Sequence, residues 1–375
     1  MKIGLFSYFY FPTINGVVIS MDNLRRGLEE LGHKVYLFAP KSKRYPYPSQ
    51  IKIINFPSIN IRTKGFFLPI PLTLSLKIFK EIKKLKLDLI HTQHPFYVGE
   101  SAFFYAKRFK IPLVFTFHTV YDLLATSYLP FLPQKVTAQK INQSVRNFAS
   151  RCDGVIVPNK VIKNKYLQGI KTRTAIIPSG LDWAQYQKKK HPKKDEITLL
   201  TVTRLSKEKN VSFLIKVFSL IAKRHQNCQF LIVGDGPERK NLEKLAKAKK
   251  LSKITFIGQV EPQKTIQYYQ KADLFLYSSL ADTQALAIFE AMAAGLAVVA
   301  LDSPEMRAAI RQGKNGLLVP LKIRKFANQV ERLIENSRLR RRIGFNASKT
   351  AKRYSYQNMA RQVANFYQKI IKFYR

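Results

Sequence analysis

Two carboxylates eight positions apart, Asp282 and Glu290, bracket the segment Asp282-Thr-Gln-Ala-Leu-Ala-Ile-Phe-Glu290, and Ala291-Met-Ala-Ala-Gly295 leads from it into Leu-Ala-Val-Val-Ala300. A turn, an apolar helix, a glycine and a strand of small β-branched residues follow one another there, a pattern that suits the ligand-binding edge of a parallel sheet. Arg204 and Lys209 lie in Thr201-Val-Thr-Arg204-Leu-Ser-Lys-Glu-Lys209-Asn210, between an apolar strand pattern and a helical one from Val211 to His225. Two cations and the free N–H groups of a helix start can hold a diphosphate. The plainer alternative is that they are two of the 65 Lys and Arg residues of the chain. Gly234-Asp-Gly-Pro237-Glu238 offers a backbone that a ligand can approach without a Cβ in the way, or simply a tight turn. His118 and His94 each follow a short apolar run, and adjacent histidines at strand tips are candidates for contact with a reacting group as well as for plain structural roles. Asn15-Gly16, before a helical stretch expected from Ser20 to Leu31, offers N–H groups at a helix N-terminus.

These residues need a frame that brings strand ends together. Apolar runs at 3–6, 35–39, 51–56, 87–91, 113–117 and 154–157 read as strands, with helical patterns between most of them. The rhythm restarts at 197–202, 229–233, 254–257, 274–277, 297–300 and 316–319. Strand–helix alternation of this kind implies parallel sheets covered on both faces. The basic, proline-containing stretch Lys188-Lys-Lys-His-Pro-Lys-Lys194 between the two series reads as a linker. Expected from this are two doubly wound α/β domains whose strand C-termini face each other across a cleft, where open α/β sheets bind ligands. The boundaries are 1–182 and 183–355, with a final helix over 356–375 carrying Met359, Val363, Phe366, Ile370 and Phe373 at helical spacing.

The Asp282–Glu290 segment with its Ala-Met-Ala-x-Gly continuation resembles the signature of the retaining glycosyltransferases of the GT-B fold, in which Glu, seven residues and Glu precede Ala-Met-Ala-x-Gly-x-Pro-Val-Val. Asp282 stands where the family has its first Glu, Ala285 where Gly is common and Ala297 where Pro is usual. The resemblance runs from the first strand to the last helix and is similar in type to glycosyltransferase family 4, most of all to 1,2-diacylglycerol 3-alpha-glucosyltransferases. It implies that Arg204 and Lys209 bind the diphosphate of a nucleotide sugar and that Gly234 lines the donor pocket. It also implies that Glu290 accepts hydrogen bonds from the ribose diol, a bidentate task suited to a carboxylate. Asp282 would hold hydroxyls of the donor sugar, His118 would contact the reacting sugar and the acceptor, and Gly16 would face the donor phosphate or acceptor hydroxyl. The last helix would cross back to the N-terminal domain. Shortening Glu to Asp withdraws the carboxylate by ~1.5 Å, so either the loop moves in or the sugar preference differs.

The chain has 375 residues and a formal net charge of +42, carried by both halves. That excess implies a polyanionic partner or surface. Leu74-Ser-Leu-Lys77-Ile-Phe-Lys80-Glu-Ile-Lys83-Lys84-Leu-Lys86 has an apolar and a lysine-rich face and follows the large apolar residues Phe66 and Phe67. Such an arrangement suits an anionic membrane surface, with Phe66, Phe67, Lys77, Lys80, Lys83 and Lys84 as the contacts, although a helix covering a sheet has the same two faces. No run reaches the ~18 apolar residues of a spanning helix, and the first residues are too short an apolar run for a signal peptide. Cys152 and Cys228 read as buried thiols in a reducing compartment. The expectation is therefore a cytoplasmic protein lying peripherally on the inner face of the cell membrane. Nucleic-acid recognition modules are absent, so no nucleic-acid partner is expected. Neither an Asp-x-Asp pair nor zinc-ligand spacing occurs, so no metal or other cofactor is expected.

The reading is a metal-independent retaining hexosyltransferase moving glucose from UDP-glucose to diacylglycerol. A GDP-mannose-dependent alpha-mannosyltransferase on a lipid or glycan is the first alternative, and a non-catalytic binder of a polyanion is the second.

Overall fold

The structure, a computed structural model, describes residues 1–11, 15–40, 52–63, 66–71, 74–118, 133–187 and 196–374, with the backbone alone for 58–63, 66–71 and 134. The expected linker lies outside the described residues. The chain forms two compact units, one of Met1–Gly180 with Tyr356–Arg375 and the other of Leu181–Ser355.

The first unit is built on seven parallel strands: β1 (Lys2–Phe6), β2 (Lys34–Pro40), β3 (Ile53–Phe56), β6 (Leu89–Thr92), β7 (Leu113–Thr116), β8 (Gly154–Val157) and β9 (Arg173–Ile176). Their order is β3-β2-β1-β6-β7-β8-β9. A separate antiparallel hairpin pairs β4 (Ser58–Thr63) with β5 (Phe66–Pro71). Neighbouring strand residues feed opposite faces: Leu89 joins the core that includes Leu24 and Met359, and Ile90 the core that includes Tyr105 and Phe148. Burial on both faces explains why the central strands read as short, largely apolar runs. β9 escaped the sequence reading because Arg-Thr-Ala-Ile has an exposed edge and no apolar run. The hairpin escaped it because prolines at 69 and 71 argue against a central strand.

The helix Gly16–Glu30 starts four residues before the expected Ser20. Gly16 and the β-branched Val17, Val18 and Ile19 are weak helix formers, but the Asn15 side chain accepts the Val18 N–H at 2.9 Å and Val18 is fully buried. Packing and capping together override propensity. The last helix, Tyr356–Tyr374, packs on the helix Gly16–Glu30. Met359, Val363 and Ile370 are buried there as expected, with Tyr367 beside them. Phe373 instead is 63% exposed, with the Arg173 guanidinium 3.8 Å from its ring centroid.

The second unit has six parallel strands: β10 (Ile197–Val202), β11 (Cys228–Val233), β12 (Ile254–Gly258), β13 (Leu274–Tyr277), β14 (Ala297–Leu301) and β15 (Leu317–Val319). They run in the order β12-β11-β10-β13-β14-β15. Leu199 and Leu200 again point into two separate cores, one under the helix Val211–Arg224 and the other under the helix Leu286–Ala293. In each unit the strand order reverses direction once, between β1 and β6 and between β10 and β13. At such a reversal of strand order, open α/β sheets bind their ligands.

Candidate active site

In the second unit most of the site residues expected from sequence follow the C-terminal end of a strand near that reversal, while Glu290 lies on the helix after β13. Arg204 comes two residues after β10, Gly234 directly after β11, and Asp282 five residues after the end of β13. Lys209 ends a short 3-10 turn, Lys207–Lys209, and Asn210 behind it takes a left-handed conformation (φ 52°) before the helix Val211–Arg224. Ser278 fixes this turn to β13, its hydroxyl shared between the carbonyls of Lys209 (2.9 Å) and Asn210 (3.0 Å). The Leu280 N–H adds a bond to the Glu208 carbonyl at 2.9 Å. Arg204 is exposed.

Gly234 cannot be replaced without moving backbone. Its φ is 129°, and a Cβ there would lie 1.9 Å from the Thr203 carbonyl oxygen. The turn is thereby pressed against the Thr203–Leu205 loop, which the Leu205 N–H to Asp235 carbonyl bond (3.0 Å) and the Glu238 N–H to Leu205 carbonyl bond (2.9 Å) hold in place. Pro237 belongs to this turn, and the helix begins at Arg239.

The two carboxylates are both engaged. Asp282 Oδ1 accepts from Lys209 Nζ at 2.6 Å, and Asp282 Oδ2 accepts from the Tyr277 hydroxyl at 2.6 Å. Glu290, on the helix Leu286–Ala293, accepts from the Tyr269 hydroxyl at 2.7 Å and also from Tyr186. Burial raises the Glu290 carboxyl above the usual carboxylate value, and the two tyrosine bonds oppose that rise. Burial, reinforced by the adjacent carboxylates, pushes the Tyr186, Tyr269 and Tyr277 hydroxyls well above the ordinary phenol value, so all three remain donors. A carboxylate has about four lone-pair sites and an ammonium three N–H donors. Asp282 and Lys209 thus keep capacity for sugar hydroxyls and phosphate oxygens while still bonded to each other.

None of these tyrosines stood out in the sequence. Tyr277 ends an apolar strand and Tyr269 is fully buried, so both look like core residues. The available signal was general: a buried tyrosine hydroxyl requires a partner.

In the first unit the histidines cluster at the ends of β6 and β7. His118 Nε2 donates to Gln93 Oε1 at 2.7 Å, which fixes its tautomer. Gln93 is 1% exposed, and its Nε2 has no partner among the described residues. His94 Nε2 lies 3.3 Å from Ser7 Oγ. His91 is a different case, fully buried, with Nε2 2.6 Å from Thr116 Oγ1 and Nδ1 2.6 Å from the Tyr367 hydroxyl. Burial lowers all three, His118 to about 4 and His91 and His94 to about 3, so each is neutral near pH 7. The loop between His94 and the helix Val98–Phe109 is tight: a Cβ on Gly99 would lie 2.2 Å from the His94 carbonyl oxygen. Gly16 is exposed as the first residue of its helix.

Four lysines of the expected membrane face, Lys77, Lys80, Lys83 and Lys84, are all exposed on the helix Leu76–Leu85, whose Ile78 and Ile82 are buried. Leu74 and Leu76 beside them are 62% and 81% exposed. The side chains of Phe66 and Phe67 lie outside the described ones. Among the described residues no helix is long and apolar enough to cross a membrane, and no group of three or more His, Cys, Asp or Glu is placed to hold a metal ion. Cys152 and Cys228 are free and buried, and burial raises both thiols.

Two parallel-sheet units of this kind match the GT-B fold of glycosyltransferases. The chain belongs to this family: residues 14–185 match Glycosyltransferase Family 4, and residues 184–350 match Glycosyl transferases group 1. It is 34% identical to the alpha-monoglucosyldiacylglycerol synthase of Acholeplasma laidlawii over 90% of this chain and 87% of the relative. The enzyme of the same name from Streptococcus pneumoniae is 28% identical, over 85% of this chain and 75% of its own length. Among solved structures, sucrose-phosphate synthase from Thermosynechococcus elongatus shares the fold with a TM-score of 0.81, at 20% identity and 99% coverage of both chains.

Proposed function

We infer that this glycosyltransferase moves glucose from UDP-glucose to diacylglycerol with retention of anomeric configuration, without a metal, at an anionic membrane surface on the inner face of the cell membrane. The observation that carries the reading is the Lys209–Asp282 link at the switch point of the second sheet. One cation there is shared between a phosphate-binding turn and a sugar-binding carboxylate. The two relatives named monoglucosyldiacylglycerol synthase support the sugar and the acceptor.

In this reading the second unit binds the donor and the first unit binds acceptor and membrane. Arg204 and Lys209 neutralise the leaving diphosphate as charge develops on an oxocarbenium-like sugar, the task a metal performs elsewhere. Gly234 admits the diphosphate to the backbone, and Glu290 accepts from the ribose diol. Asp282 accepts from sugar hydroxyls. His118, held neutral by burial, contacts the reacting sugar as a hydrogen-bonding group and not as a cation. Gly16, at the start of its helix, offers N–H groups to the donor phosphate or the acceptor hydroxyl. The bond from the anomeric carbon to the diphosphate oxygen breaks, and the acceptor hydroxyl oxygen bonds to that carbon on the same face. The hydroxyl proton passes to the departing phosphate oxygen. Exposed Lys77, Lys80, Lys83 and Lys84 with Leu74 and Leu76 supply charge and apolar contact to the membrane, at ~1 kcal/mol for each basic residue near an anionic surface.

The test is transfer from radiolabelled UDP-glucose or GDP-mannose to diacylglycerol in anionic vesicles with a chelator present, Glu290→Ala serving as control. An alpha-linked glucolipid from UDP-glucose alone, lost in the control, is expected. A mannolipid from GDP-mannose, or dependence on added metal, overturns the corresponding part.

A further inference from the structure

We propose that Tyr277 is a positioning residue for the donor sugar and that it forms with Asp282 one functional unit, a tyrosine and a short acid acting where a longer acid would act alone. The proposal rests on the donor reading of the Asp282 site and deepens it. Tyr277 closes β13, and its ring is 4% exposed, stacked on Phe275 with centroids 6.1 Å apart and planes at 20°. Its hydroxyl is therefore fixed by the strand. From there it donates to Asp282 Oδ2 at 2.6 Å and is itself bonded by Ser279. On the other side Lys209 Nζ holds Oδ1 at 2.6 Å. A loop carboxylate with 15% side-chain exposure is thus clamped from a strand and from the phosphate-side turn, with one donor on each oxygen.

A carboxylate on a loop normally keeps two freely turning side-chain torsions, which binding must then arrest. Charge-assisted bonds to both oxygens arrest them before the ligand arrives and aim the remaining lone pairs in one direction. Glu is one methylene longer. On this loop its carboxylate would overrun the Tyr277 hydroxyl or advance ~1.5 Å into the space for the sugar. The hydroxyl on Tyr277 and the short acid at 282 are matched to each other. The Tyr277 hydroxyl is bonded to Asp282 and Ser279, so it acts through the carboxylate, first of all on the sugar end of the donor.

Equilibrium affinities for UDP and for UDP-glucose, with GDP and GDP-mannose in parallel, give the test, because the ratio between a diphosphate and its sugar conjugate isolates the sugar contact. Tyr277→Phe keeps the ring and the packing. It should weaken sugar-conjugate binding about tenfold, the lower end for a hydrogen bond to a charged group, while the bare diphosphate changes less than about twofold. In the Asp282→Ala background the same Tyr277→Phe change should cost nothing further, since the two side chains act as a pair. Equal weakening of diphosphate and conjugate, or a tenfold loss that persists without Asp282, overturns the proposal. A folded wild-type chain that binds none of the four compounds instead overturns the donor reading itself, and this proposal with it.

Discussion

At the level of single residues the site is governed by what holds its titratable groups. His118 is kept neutral by burial, with its proton on the nitrogen facing Gln93. The kcat/KM of transfer should therefore show no inflection from His118 near its ordinary value of ~6.5, only an acid limb near pH 4. A pH–rate profile of wild type against Gln93→Leu checks this. The variant is expected to lose about tenfold in kcat/KM at pH 7 through a misoriented ring. An inflection near 6.5 in the wild type would mean that the imidazole is charged for part of the working range. A parallel expectation holds for Glu290, whose ribose contact depends on its tyrosines. Tyr269→Phe should weaken UDP and UDP-glucose alike, by roughly tenfold, in contrast to Tyr277→Phe. Arg204, Lys209, Asp282 and Glu290 could be singled out from sequence because their segments resemble the family's motifs, and the structure sets Lys209 against Asp282. Tyr277, Tyr269, Tyr186 and Gln93 could not, because their partners are set by tertiary folding and an apolar neighbourhood hides a polar tip.

At the level of elements, turns decide where those residues stand. The Gly234 turn tolerates no side chain, so Gly234→Ala requires the Thr203–Leu205 loop to move. Arg204 rides on that loop. Diphosphate affinity should fall at least tenfold, with a loss of stability of roughly 1–3 kcal/mol for the left-handed backbone and the overlap. Calorimetric binding of UDP together with a urea titration separates the two effects, and unchanged UDP affinity would detach this turn from the donor. The helix Leu76–Leu85 offers a different measurement. Replacing Lys77, Lys80, Lys83 and Lys84 by Glu should abolish sedimentation with anionic vesicles while leaving UDP affinity intact. Retained sedimentation would assign the membrane contact to another face. The central parallel strands were readable because both of their faces are buried and their residues are mostly apolar. β9 and the β4–β5 hairpin were not, since an exposed edge and strand prolines erase that signature. The start of the helix Gly16–Glu30 was misplaced because its first turn is stabilised by a cap and by the burial of Val18, not by propensity.

At the level of the whole molecule, the chain carries a formal charge of +42 and yet keeps three histidines uncharged inside the first unit. His91 shows why. It lies between Thr116 of β7 and Tyr367 of the last helix, so the segment that ends the chain is bonded to a strand near the middle of the first sheet. Its folded pKa is lowered to about 3, below the unfolded value of ~6.5. Between those values the unfolded chain binds a proton at this position that the folded chain does not. The resulting stability is fully present above about pH 6.5 and is lost as pH falls toward 3. The added positive charge of an acidified surface acts in the same direction. Unfolding of the first unit should thus become easier by up to about 1.4 kcal/mol per pH unit from His91 alone once pH is well below 6.5. Hydrogen exchange of peptides covering β6 and β7, measured in urea at pH 7, 6 and 5, reads this unit directly, whereas the single tryptophan, Trp183, lies in the other one. His91→Gln should lower stability at pH 7, where it disturbs two buried hydrogen bonds, and should also flatten the acid dependence by about one proton. A steep slope that survives in His91→Gln would move the acid sensitivity to His94 and His118. Then the bond between the last helix and β6 would be a packing feature without a role in the pH response.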